Sequence, residues 1–87
     1  MNNINIIFVK DGICVTMVAN PDIMWAELIF EYTKKVGIKY EDKPQFFYNS
    51  KNIVPDSCLT LKELNIFDRS RIDVVLGAAV QGALELL

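Results

Sequence analysis

Histidine is absent from this 87-residue chain. That removes the side chain most used to move protons near neutral pH, and with it His-based acid–base catalysis and the usual triads. Cysteine is scarce: Cys14 and Cys58 are the only two, and they do not form a Cys-x-x-Cys pair. Two thiols are too few for a disulfide framework, so both are expected as free, buried or half-buried residues in a reducing compartment, cytoplasmic or nuclear. No phosphate-binding glycine loop and no metal-ligand spacing occurs, so no enzymatic activity, cofactor, metal or small-molecule ligand is expected. A basic run is also missing. The 9 basic and 11 acidic residues are interspersed and leave a net charge of −2, which argues against a nucleic-acid partner. No stretch approaches the roughly 18 apolar residues of a membrane span. The opening MNNINIIFVKDG has no basic region ahead of an apolar one, so a signal peptide is not expected either.

What remains is a small, core-forming chain. Its apolar fraction is 52% and its mean hydropathy +0.24, enough for one modest core in one domain. Residues 4–10 are β-branched and aromatic and end at Asp11-Gly12, a strong hairpin signal. Residues 13–19 alternate, with Ile13, Val15, Met17 and Ala19 on one side and Cys14, Thr16 and Val18 on the other. Asn20-Pro21-Asp22 ends that strand, and Asp22 is a candidate helix cap. Trp25, Leu28, Ile29 and Tyr32 then recur at helical spacing up to Gly37, a good residue for leaving a helix. Residues 45–48 read as a third strand, 49–52 as a turn, 53–54 as a short strand, 61–64 as a single helical turn and 71–76 as a last strand. The pattern predicts an α+β fold, a ββαββ mixed sheet with one helix packed across one face. The other face is left to water or partners. Leu28, Tyr32, Ile38, Phe46, Tyr48, Ile53, Leu61, Ile66, Ile72 and Val74 are expected in the core or at its margin, with Trp25 at the margin. The first strand fits with Ile4, Ile6 and Phe8 inward or with Ile7 and Val9 inward, and a one-residue slip exchanges the two faces.

This ordered set of motifs resembles the ubiquitin-like superfamily, the β-grasp fold of ubiquitin and SUMO, over residues 4–77. Gln45-Phe46-Phe47-Tyr48 sits where ubiquitin has Arg-Leu-Ile-Phe, and Asn49-Ser50-Lys51 where it has Ala-Gly-Lys. Thr60-Leu61-Lys62-Glu63-Leu64-Asn65-Ile66 parallels its Thr-Leu-Ser-Asp-Tyr-Asn-Ile. Leu28 and Tyr32 stand at SUMO-like distances before Gly37, and Arg71-Ile72-Asp73-Val74 is similar to the last strand of SUMO. The resemblance implies a domain at residues 1–77 followed by a tail or linker at 78–87. It also implies a chain that works by being recognised or attached, with no catalytic site of its own.

By the resemblance, Phe47 takes the place of the central recognition isoleucine of ubiquitin, and Val75 that of the valine beside it. Gln45, Lys51 and Asp73 complete the expected protein-binding surface; Gln45 and Asp73 stand for an arginine and a histidine, so the usual ubiquitin receptors are expected to bind poorly. A SUMO-like peptide groove would be lined by Thr16, Val18, Leu28 and Tyr32, without the lysines that attract acidic peptides. The tail has no Gly-Gly. The implied function is a non-conjugated interaction domain, part of a larger protein, with ubiquitin- or SUMO-pathway proteins as candidate partners and no membrane association. The alternative is a modifier conjugated through Gly82 after removal of residues 83–87. A Ras-binding type of β-grasp domain would need a basic first hairpin, which is missing.

Overall fold

The computed structural model describes residues 2–77. The first strand, β1 (Ile4–Lys10), turns through Asp11-Gly12 into β2 (Ile13–Ala19). Asp11 and Gly12 have φ of 51° and 78°, the left-handed pair whose twist suits a two-residue hairpin. The turn fixes the pairing from Lys10↔Ile13 to Ile4↔Ala19. Ile6 and Phe8 are fully buried, so the face containing Ile4, Ile6 and Phe8 looks inward and Ile7 and Val9 look outward. The register then sends Val15, Met17 and Ala19 inward and Thr16 and Val18 to the opposite face.

Helix α1 (Trp25–Val36) buries Trp25, Leu28, Ile29 and Tyr32, the stripe its spacing predicts. It ends at Gly37, whose left-handed φ of 78° lets its N–H reach the Thr33 carbonyl. The expected cap at Asp22 does not form. Asp22 instead offers its own N–H to Asn20 Oδ1 at 2.9 Å, and the helix starts two residues later with Met24 as cap residue. The first free N–H groups are taken by distant carbonyls: Trp25 donates to Leu59 and Ala26 to Ser57. Long-range backbone bonding therefore does the work of a capping side chain.

After a 3-10 turn over Tyr40–Asp42 come β3 (Pro44–Tyr48), β4 (Lys51–Ile53) and β5 (Ser70–Leu76). The β3–β4 turn is tighter than the sequence suggests, with only Asn49 and Ser50, both left-handed at φ 51° and 65°, between paired Tyr48 and Lys51. The connector from β4 forms the expected single turn. Thr60 and Glu63 cap each other, the Thr60 N–H donating to Glu63 Oε1 and the Glu63 N–H to Thr60 Oγ1. The five strands lie in the order β2-β1-β5-β3-β4, with β1 and β5 parallel at the centre and the other pairs antiparallel.

The core sits between α1 and the sheet. Tyr32 stacks on Phe8 with ring centres 4.2 Å apart, and Phe46 meets Phe8, Trp25 and Tyr32 edge-on at 6.3, 6.0 and 6.2 Å. Leu61 and Ile66 from the connector close one side. Trp25 is fully buried and belongs to the core itself rather than its margin. Tyr48, half-buried, donates its hydroxyl to the Asn65 carbonyl and ties the β3 end to the connector. Burial pushes the Tyr32 phenol above its ordinary pKa, and the Asp11 carboxylate adds to the shift.

Candidate functional site

The helix covers one face of the sheet, and the described residues leave the other open. Strand alternation decides what that face shows. Phe46 and Val74 pair and point to the core; the neighbouring residues Phe47 and Asp73 pair and point away. Gln45 pairs with Val75 one step on. On the other side of β5, Arg71 pairs with Ile7 and Asp73 with Val9. Cys14 and Thr16 continue these rows on β2, and Asn52 on β4.

The centre of the open face is therefore a short apolar strip with a charge in it. Ile7, Val9 and Phe47 are half-buried against their neighbours, and Val75 is 38% exposed. Phe47 and Val75 are diagonal neighbours across β3 and β5, a relation that typically spaces residues about 7–8 Å apart, within reach of a phenyl ring. Asp73 lies between Phe47 and Val9, and Arg71 Nε donates to its Oδ1 at 3.0 Å. The guanidinium and carboxylate offset each other, so the strip carries a dipole flanked by hydrocarbon. Arg71 and Asp73 are both more than half exposed and the pair contributes little to stability.

Phe47, Val75, Gln45 and Asp73 are brought to this face. Lys51 is not. It pairs with Tyr48, so its alternation belongs with Tyr48 and the helix side; the β4 residue across from Phe47 is Asn52. The four groove residues are also not assembled. Thr16 and Val18 stand on the open face, whereas Leu28 and Tyr32 are 2% and 1% exposed inside the core. The register of β2 sets this separation, because its helix-side residues are Val15, Met17 and Ala19. Gly82 lies outside the described residues. Cys14 and Cys58 are free as expected but exposed rather than buried, since Cys14 falls on the open face and Cys58 in the connector.

The sequence reading missed Ile7, Val9 and Arg71 as parts of the face. The signal was the Asp-Gly turn once combined with one inward strand face, but INIIFV is apolar on both sides. It also missed an apolar groove of about 750 Å³ where the C-terminal half of α1 meets the start of β3. Phe30, 63% exposed, and Tyr40, 92% exposed, help to line it with Ile38, Pro44 and Pro55. Among the described residues, no cluster of His, Cys, Asp and Glu could hold a metal ion, and no helix is long and apolar enough to cross a membrane.

No protein-family model matches the chain, and no curated protein matches it. Solved structures do. The yeast Ddi1 ubiquitin-like domain superposes with a TM-score of 0.75 at 16% identity, over 85% of this chain and 88% of that one. The ubiquitin of Caldiarchaeum subterraneum gives 0.74 at 13% identity, over 86% and 94%. The ubiquitin-like domain of the Arabidopsis thaliana protein At2g32350 gives 0.73 at 18% identity, over 87% and 79%. Likeness at these identities is a likeness of fold.

Proposed function

We propose that this chain, which has the ubiquitin-like β-grasp fold, acts as a non-catalytic protein-interaction domain within a larger protein. The supporting observation is the uncovered sheet face, where Phe47 and Val75 flank a paired Asp73. An apolar strip left in water, rimmed by polar groups, is the usual mark of a protein-binding surface. The partner is a protein presenting an apolar side chain to Phe47 and Val75 and hydrogen-bonding groups to Gln45, Asp73 and Arg71. Components of the ubiquitin or SUMO pathways are the first candidates, in the cytoplasm or nucleus. Lys51 is not part of this reading, because it lies on the other side of its strand.

The competing reading, a modifier joined through Gly82 after loss of residues 83–87, makes a different prediction in the same experiment. Tagged full-length chain is incubated with ATP in lysate of its source cell, then captured and weighed intact. The expected result is an unprocessed chain with noncovalent partners that are lost on Phe47→Ala and on Val75→Asp, while both variants unfold as cooperatively as the parent. Partners retained by both variants would remove the assigned face. Covalent adducts through Gly82, lost on Gly82→Ala, would replace the interaction reading with the modifier one.

A further inference from the structure

The two edges of the sheet are guarded very differently. β4 is three residues long, carries Lys51 and follows a tight turn. A short, charged edge of this kind resists pairing with another strand. β2 is seven residues long, ICVTMVA, with no charge, proline or glycine. Among the described residues it pairs with β1 alone, so one row of its backbone N–H and C=O groups faces outward along its full length. Its side chains favour strands, and Ile13 and Val18 are 68% and 64% exposed. Among the described residues, neither a charge, a proline nor a bulge interrupts this edge.

We propose that β2 pairs with β2 of a second copy of this chain, antiparallel and about a two-fold axis at Thr16. The strand is suited to its own copy. With Thr16 on the axis all seven residues pair: Ile13 meets Ala19, Cys14 meets Val18, Val15 meets Met17, and Thr16 meets Thr16 of the other copy. In a two-fold contact any charge near the axis approaches its own image; this strand has none to repel. Facing threonines are a favourable cross-strand pair. The register keeps faces matched. Val15 and Met17, half-buried on the helix side, extend each core toward the other, and Thr16 and Val18 stay on the open face. The two sheets become one, with both helices on the same side.

The pairing is independent of the interaction reading, because β1 and β5 lie between β2 and β3. A single strand pair is a small interface, below about 1,200 Å² in total, so the dimer is a weak and concentration-dependent one. Sedimentation equilibrium of the full chain over roughly micromolar to millimolar concentrations tests it. The average mass is expected to rise from one 9.9 kDa chain toward two. Thr16→Lys brings two ammonium groups together on the axis and is expected to hold the mass at one chain, at least tenfold beyond the parent midpoint. The side chain at 16 is exposed, so the variant keeps its fold. Phe47→Ala is expected to dimerise like the parent. Amide exchange is expected to slow in β2 and not in β4 as concentration rises. A chain that stays single throughout overturns the proposal and leaves the edge to an extended segment of another protein. A dimer that survives Thr16→Lys, or whose added protection lies outside β2, overturns it equally.

Discussion

Phe47 on β3 faces Asp73 on β5, an aromatic ring opposite a carboxylate at the middle of the uncovered side of the sheet. One residue earlier, Phe46 faces Val74 on the covered side. The two phenylalanines share a backbone environment and differ only in which way the pleat turns them. Their consequences for the molecule should therefore separate cleanly.

Phe46→Ala removes a ring that touches three other aromatic side chains and leaves a cavity; it is expected to cost about 3–5 kcal/mol. Phe47→Ala removes a cross-strand neighbour from a half-exposed site and is expected to cost about 1 kcal/mol or less. Urea titration of both variants measures the contrast. Comparable losses would mean that Phe47 carries part of the core.

The hairpin at Asn49-Ser50 places a serine at φ 65°, where a side chain is strained and glycine is not. Ser50→Gly supplies the Asn-Gly pair this turn type favours. A gain of about 0.5–1 kcal/mol is expected, seen as a melting temperature higher by roughly 2–8 °C. An unchanged or lower value would show that the serine geometry is not strained.

Gly77 closes the described chain against the 3-10 turn. Its N–H donates to the Lys43 carbonyl at 2.7 Å, and a Cβ there would collide with that same oxygen and crowd the Gln45 amide. The oxygen is backbone and cannot swing aside. Gly77→Ala is expected to destabilise by about 1–3 kcal/mol, read from the denaturation midpoint, with the slope unchanged.

Tyr32 gives the domain an alkaline limit. Its phenol ionises above the ordinary value of 10.0 in the folded chain, because burial disfavours the phenolate and Asp11 opposes it further. The unfolded chain ionises near 10, so above that pH it binds fewer protons than the folded one and stability falls as pH rises. The contribution is complete below about pH 10. Thermal melts between pH 8 and 11 are expected to fall more steeply for the parent than for Tyr32→Phe over the upper part of the range.

Much of this fold was legible locally. The Asp-Gly turn, the Trp25-Leu28-Ile29-Tyr32 stripe, the exit at Gly37 and the inward Phe46 each follow from residues within a few positions of one another. What was not legible depended on distant partners. The N–H groups at the start of α1 are satisfied by Leu59 and Ser57, over thirty positions away, so the nearby Asp22 was the obvious but wrong cap. The first strand is apolar on both sides, and only packing chose between them. The resemblance put Thr16, Val18, Leu28 and Tyr32 along one groove; Thr16 and Val18 follow the face that β1 takes, while Leu28 and Tyr32 turn into the core. Lys51 was assigned by the resemblance alone, and the two-residue turn instead pairs it with Tyr48 on the helix side.

The parallel pairing of β1 with β5 has one more consequence. The strands run side by side from Ile6↔Ser70 to Val9↔Asp73, yet β1 lies at the start of the domain and β5 at its end. A pull applied to the two ends drags them past each other lengthwise, loading their shared hydrogen bonds together instead of one after another as in unzipping. Domains threaded end-first into an unfolding machine meet that resistance at the first step. The centre of this sheet is thus a mechanical clamp as well as a core.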